Sequence, residues 1–179
     1  MRTDLPFLEE SSDLAPLLVF SSRDAYRAFP ARLAAKLNAE ATVPRAGGFT
    51  VFGIATSFWD PEQGSLRPVY THEFVHALLS DRLRLDNRGE WLHEGLASRY
   101  QLRFHPQENF GAIVADGLAA ASRRLPLERL CDGQPIPSNR YWQALTVAGM
   151  LLQQEKYAPR AGRLFKRCET PARPAWVPT

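Results

Sequence analysis

The chain has 179 residues, of which 45% are hydrophobic and 23% are charged. This length and composition predict one folded domain and exclude wholesale disorder, a fibrous repeat and a fold that depends on disulfide staples. Twenty-two basic residues against nineteen acidic ones give a net charge of +3, and these charges are scattered along the chain, so nucleic acid is not expected as a partner.

The N-terminal third is expected to form a small sheet with one helix. Residues 15–20 are an apolar run that predicts a short buried strand, and Ser21-Ser22 is expected to cap the helix that follows. That helix should cover Asp24 to Asn38, with Pro30 splitting it into two pieces. One further strand is expected from Phe49 to Phe58, a segment rich in Phe, Val, Ile and Thr.

After a loop at Asp60 to Gly64, the chain is expected to be mostly helical, with a turn at Asp86 to Gly89 and a loop at Asp132-Gly133 and Pro135 to Pro137. The predicted helices are Pro68 to Leu85, Glu90 to Phe104, Phe110 to Ser122, Asn139 to Tyr157 and Arg160 to Cys168. Residues 1–170 are expected to form a single α+β domain, mostly helical, and the proline-rich residues 171–179 to form an extended or disordered tail.

No targeting segment, membrane span or cysteine motif stands out in the sequence. Residues 1–10 lack the charged start and apolar run of a signal peptide, and no apolar stretch is long enough to span a membrane. A cytoplasmic protein is the default expectation, although a chain trimmed of its leader would look the same. Cys131 and Cys168 fit neither a zinc knuckle nor a redox pair, so they are expected to pair with each other or to be buried.

The segment His72-Glu73-Phe74-Val75-His76 gives the strongest functional signal. The two histidines are four residues apart on a predicted helix, so both rings project from one face and can bind a single metal ion. Glu73 is rotated by about 100° from His72, so its carboxylate can flank the ion without binding it. Glu73 is therefore the candidate that takes a proton from water.

A catalytic zinc site needs three protein ligands and one open position for water. Glu94 is the predicted third ligand, because a short turn must return the second helix to the face that bears the histidines. His93 is expected to be a packed or surface histidine, since neighbouring helical positions diverge by about 100°. His105, near a helix end, is expected to cap that end or to face solvent.

These residues resemble the gluzincin metallopeptidases, in particular compact bacterial proteins with a peptidase-MA-like domain. The resemblance covers roughly residues 43–168. Two specific strings and one weaker string carry it, namely His72-Glu73-Phe74-Val75-His76-Ala77-Leu78-Leu79, Trp91-Leu92-His93-Glu94-Gly95-Leu96-Ala97 and Tyr141-Trp142-Gln143-Ala144. The resemblance implies a zincin-like domain whose N-terminal sheet packs on the active-site helix.

The resemblance also implies site residues and a way to bind substrate. It makes His72, His76 and Glu94 the zinc ligands and Glu73 the general base. It makes the segment from Gly48 to Ser57 a sheet edge that pairs with an extended peptide.

The chain departs from related families at several positions. Leu79 and Arg82 stand where metzincins carry a glycine and a third histidine. The glycine-x-methionine-glutamate-asparagine segment of the large gluzincin aminopeptidases is absent, so an endopeptidase is expected rather than an exopeptidase. Ser98 stands where thermolysin-like relatives carry an acidic residue that orients a zinc histidine, so either another carboxylate does this or the site is less tuned.

The expected function is hydrolysis of peptide bonds in a peptide or protein, with a zinc-activated water and Glu73 as general base. Through the resemblance, Tyr141 is the candidate donor to the developing oxyanion, with Tyr100 behind it, and a packing role for Tyr141 has equal weight. Two alternatives stay open: a catalytically silent zinc module that binds a partner strand, and a zinc hydrolase with a non-peptide substrate. An intact Glu73 argues against the silent module.

Overall fold

The fold is known from a computed structural model, which describes residues 15–37, 46–51, 53–62, 69–82, 90–106 and 110–168. The described residues form a small mixed sheet and a larger set of helices, which confirms the expected α+β class. The strands are β1 (Leu17–Phe20), β2 (Gly48–Val51) and β3 (Ile54–Phe58). The helices are α1 (Arg23–Leu37), α2 (Val69–Arg82), α3 (Glu90–Phe104), α4 (Phe110–Ala119), α5 (Leu127–Leu130), α6 (Tyr141–Gln153) and α7 (Ala158–Cys168).

The predicted turn at residues 86–89 and the predicted tail at residues 171–179 lie outside the described residues. The long helix predicted from Asn139 is a 3-10 turn at Ser138–Arg140 followed by α6. Among the described helices, none is long and apolar enough to cross a membrane.

Strand β3 is the centre of the sheet, with β1 parallel to it on one side and β2 antiparallel on the other. The prediction of one strand from Phe49 to Phe58 is wrong, because Val51 pairs with Ile54 across a two-residue turn. Gly53 in that turn has φ 73°, a conformation that favours glycine and that tight hairpins require. Of the predicted edge segment, only β2 lies at a sheet edge, and the part from Ile54 onward belongs to the central strand β3.

Strand β1 is more exposed than the sequence predicts. Ala15 is buried, but Leu17, Leu18 and Val19 are 38%, 39% and 46% exposed. The prediction of a buried strand is wrong because β1 lies at the other sheet edge, while α2 packs mainly over β2 and β3. An apolar run in a sequence does not distinguish a central strand from an edge strand.

Helix α1 runs through Pro30 without a break, so the predicted split is wrong. Tyr26, one turn before the proline, is 1% exposed, and its ring packs against Phe49 and Phe58. Ala34, one turn after the proline, is also buried. Packing on both sides outweighs the one backbone hydrogen bond that proline cannot donate. The predicted cap is confirmed, since the Ala25 N–H donates to Ser22 Oγ at 3.2 Å.

Helix α1 packs on β1 and β3, whereas α2 lies between the sheet and α3, and α3 packs closely on α6. Gly95 makes the close contact between α3 and α6 possible, because a Cβ at this position would lie 2.5 Å from the Ala144 carbonyl oxygen. The main core gathers buried side chains of α2, α3, α6 and α7, among them Leu79, Leu92, Leu96, Ala148 and Phe165. This packing holds α2 against α3 and α3 against α6.

Cys131 is an exposed free cysteine in the turn that follows α5. The prediction that it pairs with Cys168 or is buried is therefore wrong for Cys131. The side chain of Cys168 lies outside the described part of the chain.

Candidate metal centre

The structure brings the three predicted ligands together. His72 and His76 project from one face of α2, and Glu94 approaches them from α3. The distance is 3.0 Å from His72 Nε2 to Glu94 Oε2, 3.0 Å from His72 Nε2 to His76 Nε2, and 3.4 Å from His76 Nε2 to Glu94 Oε1. These three residues form the described group of histidine and carboxylate side chains that could hold a metal ion.

The donor atoms fit a small divalent cation. Zinc ligands lie about 2.0–2.2 Å from the ion, so two donors of a tetrahedral site are separated by about 3.4 Å. The observed separations of 3.0 to 3.4 Å are close to this value. His72 Nε2 lies within hydrogen-bonding distance of both His76 Nε2 and Glu94 Oε2. Because one ring nitrogen offers either one proton or one lone pair, hydrogen bonds alone cannot satisfy all three groups well. A cation accepts lone pairs from all three groups at once.

The surroundings of Glu94 favour its ionised carboxylate, the form that binds a metal ion. Burial alone would raise the pKa of Glu94, but its hydrogen bonds and charge interactions with His72 and His76 outweigh burial and hold the pKa well below its ordinary value. The carboxyl group is thus a carboxylate at neutral pH. Each side chain of the cluster retains 12–14% exposure, so the site is sheltered but reachable from solvent.

Glu73 lies beside the candidate ligands, but its carboxylate contacts strand β2. Its carboxylate Oε2 accepts a hydrogen bond from Thr50 Oγ1 at 3.0 Å, and the same hydroxyl lies 2.8 Å from the Glu73 carbonyl oxygen. Burial raises the pKa of Glu73 to about 7, against the lowering effect of His76 and of the Thr50 hydrogen bond. Glu73 is therefore a weakly acidic, buried carboxyl group, 8% exposed, next to the ligand cluster.

Strand β2 makes room for Glu73 through a glycine. A Cβ at Gly48 would lie 2.4 Å from Glu73 Cγ and 2.8 Å from Val69 Cγ1, which is closer than such atoms can approach. The side chain of Glu73 therefore occupies space that only glycine leaves at this point of the edge strand. Gly48 and Thr50 together fix the position of Glu73 from the sheet side.

Of the two tyrosines considered, the structure places Tyr141 at the cluster. Its ring stacks on the His72 ring, with centroids 6.0 Å apart and planes 11° from parallel. Burial raises the pKa of Tyr141 well above its ordinary value, as do the negative charge of Glu94 and a hydrogen bond to it, so the hydroxyl stays protonated. Tyr100 is fully buried in the main core instead.

The remaining predictions for individual α3 residues have mixed outcomes. His93 is a packed histidine, as predicted, and its ring stacks on the His76 ring with centroids 5.8 Å apart. Ser98 is fully buried, and its hydroxyl has no hydrogen-bond partner among the described residues, so it orients neither His72 nor His76. The ring of His105, the residue after α3, contacts Thr71 Oγ1 at 3.0 Å, so the end of α3 lies beside the start of α2.

Three residues make contacts at the site that the sequence does not predict, namely Gly48, Thr50 and Glu90. Gly48 and Thr50 give no local signal, because their contacts with Glu73 depend on how α2 crosses the sheet. Glu90 could have been found, since it precedes Glu94 by one helical turn and shares its face of α3. The charge of Glu94 acts on Glu90, and the charge of Glu90 acts on Tyr141.

Comparison of the chain with protein-family models, with curated proteins and with solved structures finds no match. Support for the gluzincin resemblance therefore consists of the motif residues and of one structural finding. That finding is the group formed by His72, His76 and Glu94, which could hold a metal ion.

Proposed function

We propose that this protein is a zinc-dependent metallopeptidase that hydrolyses peptide bonds within an extended chain. The observation that carries the proposal is the convergence of His72, His76 and Glu94 with the buried carboxyl group of Glu73 beside them. Two histidines and one glutamate leave a coordination position open, which is the arrangement of a catalytic rather than a structural zinc site.

The protein would hold zinc through His72 Nε2, His76 Nε2 and the Glu94 carboxylate. Zinc bound there would supply Lewis acidity, which lowers the pKa of water toward about 7 and polarises a scissile carbonyl group. The zinc identity is favoured by this donor set together with an adjacent base, because hydrolysis needs both an acidified water and a proton acceptor.

Glu73 would carry the proton. Its carboxylate takes a proton from the attacking water, whose oxygen forms a bond to the carbonyl carbon, and delivers the proton to the amine nitrogen as the C–N bond breaks. The environment of Glu73 suits both steps, because burial brings its pKa to about 7, near the operating pH of a general base. The Thr50 hydroxyl keeps the carboxylate oriented.

Tyr141 would stabilise the negative charge that develops on the carbonyl oxygen. Its hydroxyl is protonated and lies among the ligands, in a hydrogen bond with Glu94. During the reaction this hydroxyl would turn its one hydrogen from Glu94 to the carbonyl oxygen, so that one hydrogen bond replaces another. Its stacking on His72 keeps the ring in place.

The sheet edge beside Glu73 favours a peptide over other substrates. Among the described residues β2 pairs only with β3, so the other side of β2 offers backbone N–H and C=O groups. An extended peptide can add to such an edge as a further strand. Because Gly48 and Thr50 of this strand contact Glu73, a peptide bound there would pass the base.

The proposal is tested by profiling cleavage of a mixed peptide library with zinc-loaded wild type and Glu73→Gln. The expected result is cleavage by wild type within peptides, loss of turnover by at least about a hundredfold in Glu73→Gln, and equal zinc content in both proteins. Equal zinc content matters because Glu73 is not one of the proposed ligands.

Two outcomes would oppose the proposal in different ways. If the zinc-loaded wild type cleaves no peptide and binds zinc as tightly as Glu73→Gln, the site is that of a silent zinc module. If the wild type hydrolyses simple ester or amide substrates but no peptide, the protein is a zinc hydrolase of another substrate class.

A further inference from the structure

Glu90 is a second carboxylate on the ligand-bearing face of α3. It is the first residue of α3 and lies one helical turn before Glu94, so both side chains project from the same side of the helix. Its Oε2 atom accepts a hydrogen bond of 2.8 Å from the backbone N–H of Ile136, far along the chain. The start of α3 is thereby attached to the segment that leads into α6.

The segment from Ile136 to Arg140 leads directly to Tyr141 at the site. Ile136 is buried in the main core, and the 3-10 turn Ser138–Arg140 follows it and runs directly into Tyr141, the first residue of α6. The Arg140 N–H donates to the Pro137 carbonyl oxygen at 2.8 Å, which closes this turn. The short segment is therefore held at one end by Glu90 and at the other by the contact of Tyr141 with Glu94.

The electrostatics agree with a position close to the site. Burial raises the pKa of Glu90, the hydrogen bond from Ile136 lowers it, and the charges of Glu94 and His76 act on it with opposite signs. The charge of Glu90 also helps to raise the pKa of Tyr141. Glu90 is thus within electrostatic reach of a ligand, of the neighbouring histidine and of the tyrosine.

We infer that Glu90 is a positioning residue, which fixes Tyr141 against the metal cluster by binding the Ile136 N–H. Its catalytic consequence rests on the function proposed above, whereas its effect on Tyr141 does not. Glu90 acts as a hydrogen-bond acceptor, and its charge is secondary. An amide oxygen at this position should therefore replace the carboxylate, whereas a side chain without an acceptor should not.

The first readout follows Tyr141 directly and needs no catalysis. The protein is labelled with 3-fluorotyrosine, and the fluorine resonance of residue 141 is assigned as the one that disappears in Tyr141→Phe. In Glu90→Gln this resonance should stay sharp and close to its wild-type shift, displaced only slightly by the lost charge, because the amide oxygen accepts the Ile136 hydrogen bond. In Glu90→Ala it should move or broaden, because the ring loses its fixed stacking on His72.

The second readout is the rate of peptide hydrolysis. Glu90→Ala should lower kcat about tenfold at unchanged zinc content, the size expected for one lost hydrogen bond to a charged group, and Glu90→Gln should recover most of that loss. In the Tyr141→Phe background, Glu90→Ala should have little further effect, because both changes act on one group.

A matched control separates positioning from general loosening. Gln143 anchors another stretch before α6, since its side chain binds both the N–H and the carbonyl oxygen of Leu125. Gln143→Ala removes this anchor while leaving the link from Glu90 to Ile136 in place. It should leave the Tyr141 resonance at its wild-type shift.

Each outcome bears on the inference. A Tyr141 resonance that is unchanged in Glu90→Ala, or that moves equally in Glu90→Gln and Gln143→Ala, would overturn it. Equal losses of kcat for Glu90→Ala in the wild-type and Tyr141→Phe backgrounds would also overturn it. If no variant or wild type cleaves peptides but the resonance responds as expected, the positioning role stands and the proposed peptidase function fails.

Discussion

Replacing Thr50 with valine removes the hydroxyl that holds the proposed base while nearly preserving the shape of the side chain. The lost contacts are those to Glu73 Oε2 at 3.0 Å and to the Glu73 carbonyl oxygen at 2.8 Å. A hydrogen bond to a charged group contributes about 1.5–3 kcal/mol, and each 1.36 kcal/mol corresponds to about tenfold in rate. We therefore expect kcat for peptide hydrolysis to fall about tenfold to a hundredfold in Thr50→Val.

The assay compares the steady-state kcat of zinc-loaded wild type, Thr50→Val and Thr50→Ser, with zinc content measured in the same samples. Thr50→Ser keeps the hydroxyl, so it should stay within about threefold of wild type, and all three proteins should bind equal amounts of zinc. A wild-type rate in Thr50→Val would refute the reasoning. So would a serine variant as slow as the valine variant, because the hydroxyl would then be irrelevant.

Three further predictions concern close packing and the metal. Gly95→Ala places a Cβ 2.5 Å from the Ala144 carbonyl oxygen, so denaturant unfolding should show a loss of about 1–3 kcal/mol. The control is Gly162→Ala in α7, where the new Cβ would have no packing neighbour within 4 Å among the described residues. Its free energy of unfolding should rise by up to about 1 kcal/mol, and a loss as large as that of Gly95→Ala would contradict the role of the Gly95 contact. Gly48→Ala forces the Glu73 side chain to move, so kcat should fall at least about tenfold with zinc content unchanged. A wild-type rate would show that Glu73 can reach its catalytic position despite the added Cβ. Removal of zinc by a chelator should lower the unfolding temperature of wild type but not of His76→Ala, and equal shifts would indicate that the metal binds elsewhere.

The two histidines of the candidate metal centre could be predicted from the sequence because helical geometry aligns them locally. A spacing of four residues aligns His72 with His76 on any helix. Glu94 needed one more step, the return of a second helix after a short turn. The structure places its carboxylate 3.0 Å from His72, in agreement with that step.

The sheet could be predicted only in part, because strand signals do not specify neighbours. The apolar run from Phe49 to Phe58 contains the turn at Gly53, whose positive φ closes a hairpin, but the residues around it lack a strong turn signal. Likewise Pro30 alone predicts a break in α1. The aromatic packing of Tyr26 that keeps the helix intact comes from strands distant in sequence.

The supporting residues of the site could not be predicted for a related reason. Thr50 contacts Glu73 only because α2 crosses the sheet over β2, and the sequence does not give that crossing. The sequence also gives no sign that Ile136 lies beside Glu90, a contact between distant segments. Local spacing thus gives the ligands, and tertiary packing gives the groups that hold them.

The central claim is that His72, His76 and Glu94 bind one zinc ion. The most direct test is the metal content per chain, by inductively coupled plasma mass spectrometry, of purified wild type, His72→Ala and the control His105→Ala. We expect one zinc per chain in wild type and in His105→Ala, and loss of the zinc in His72→Ala. A wild type without stoichiometric zinc, or a His72→Ala variant with the wild-type zinc content, would contradict it.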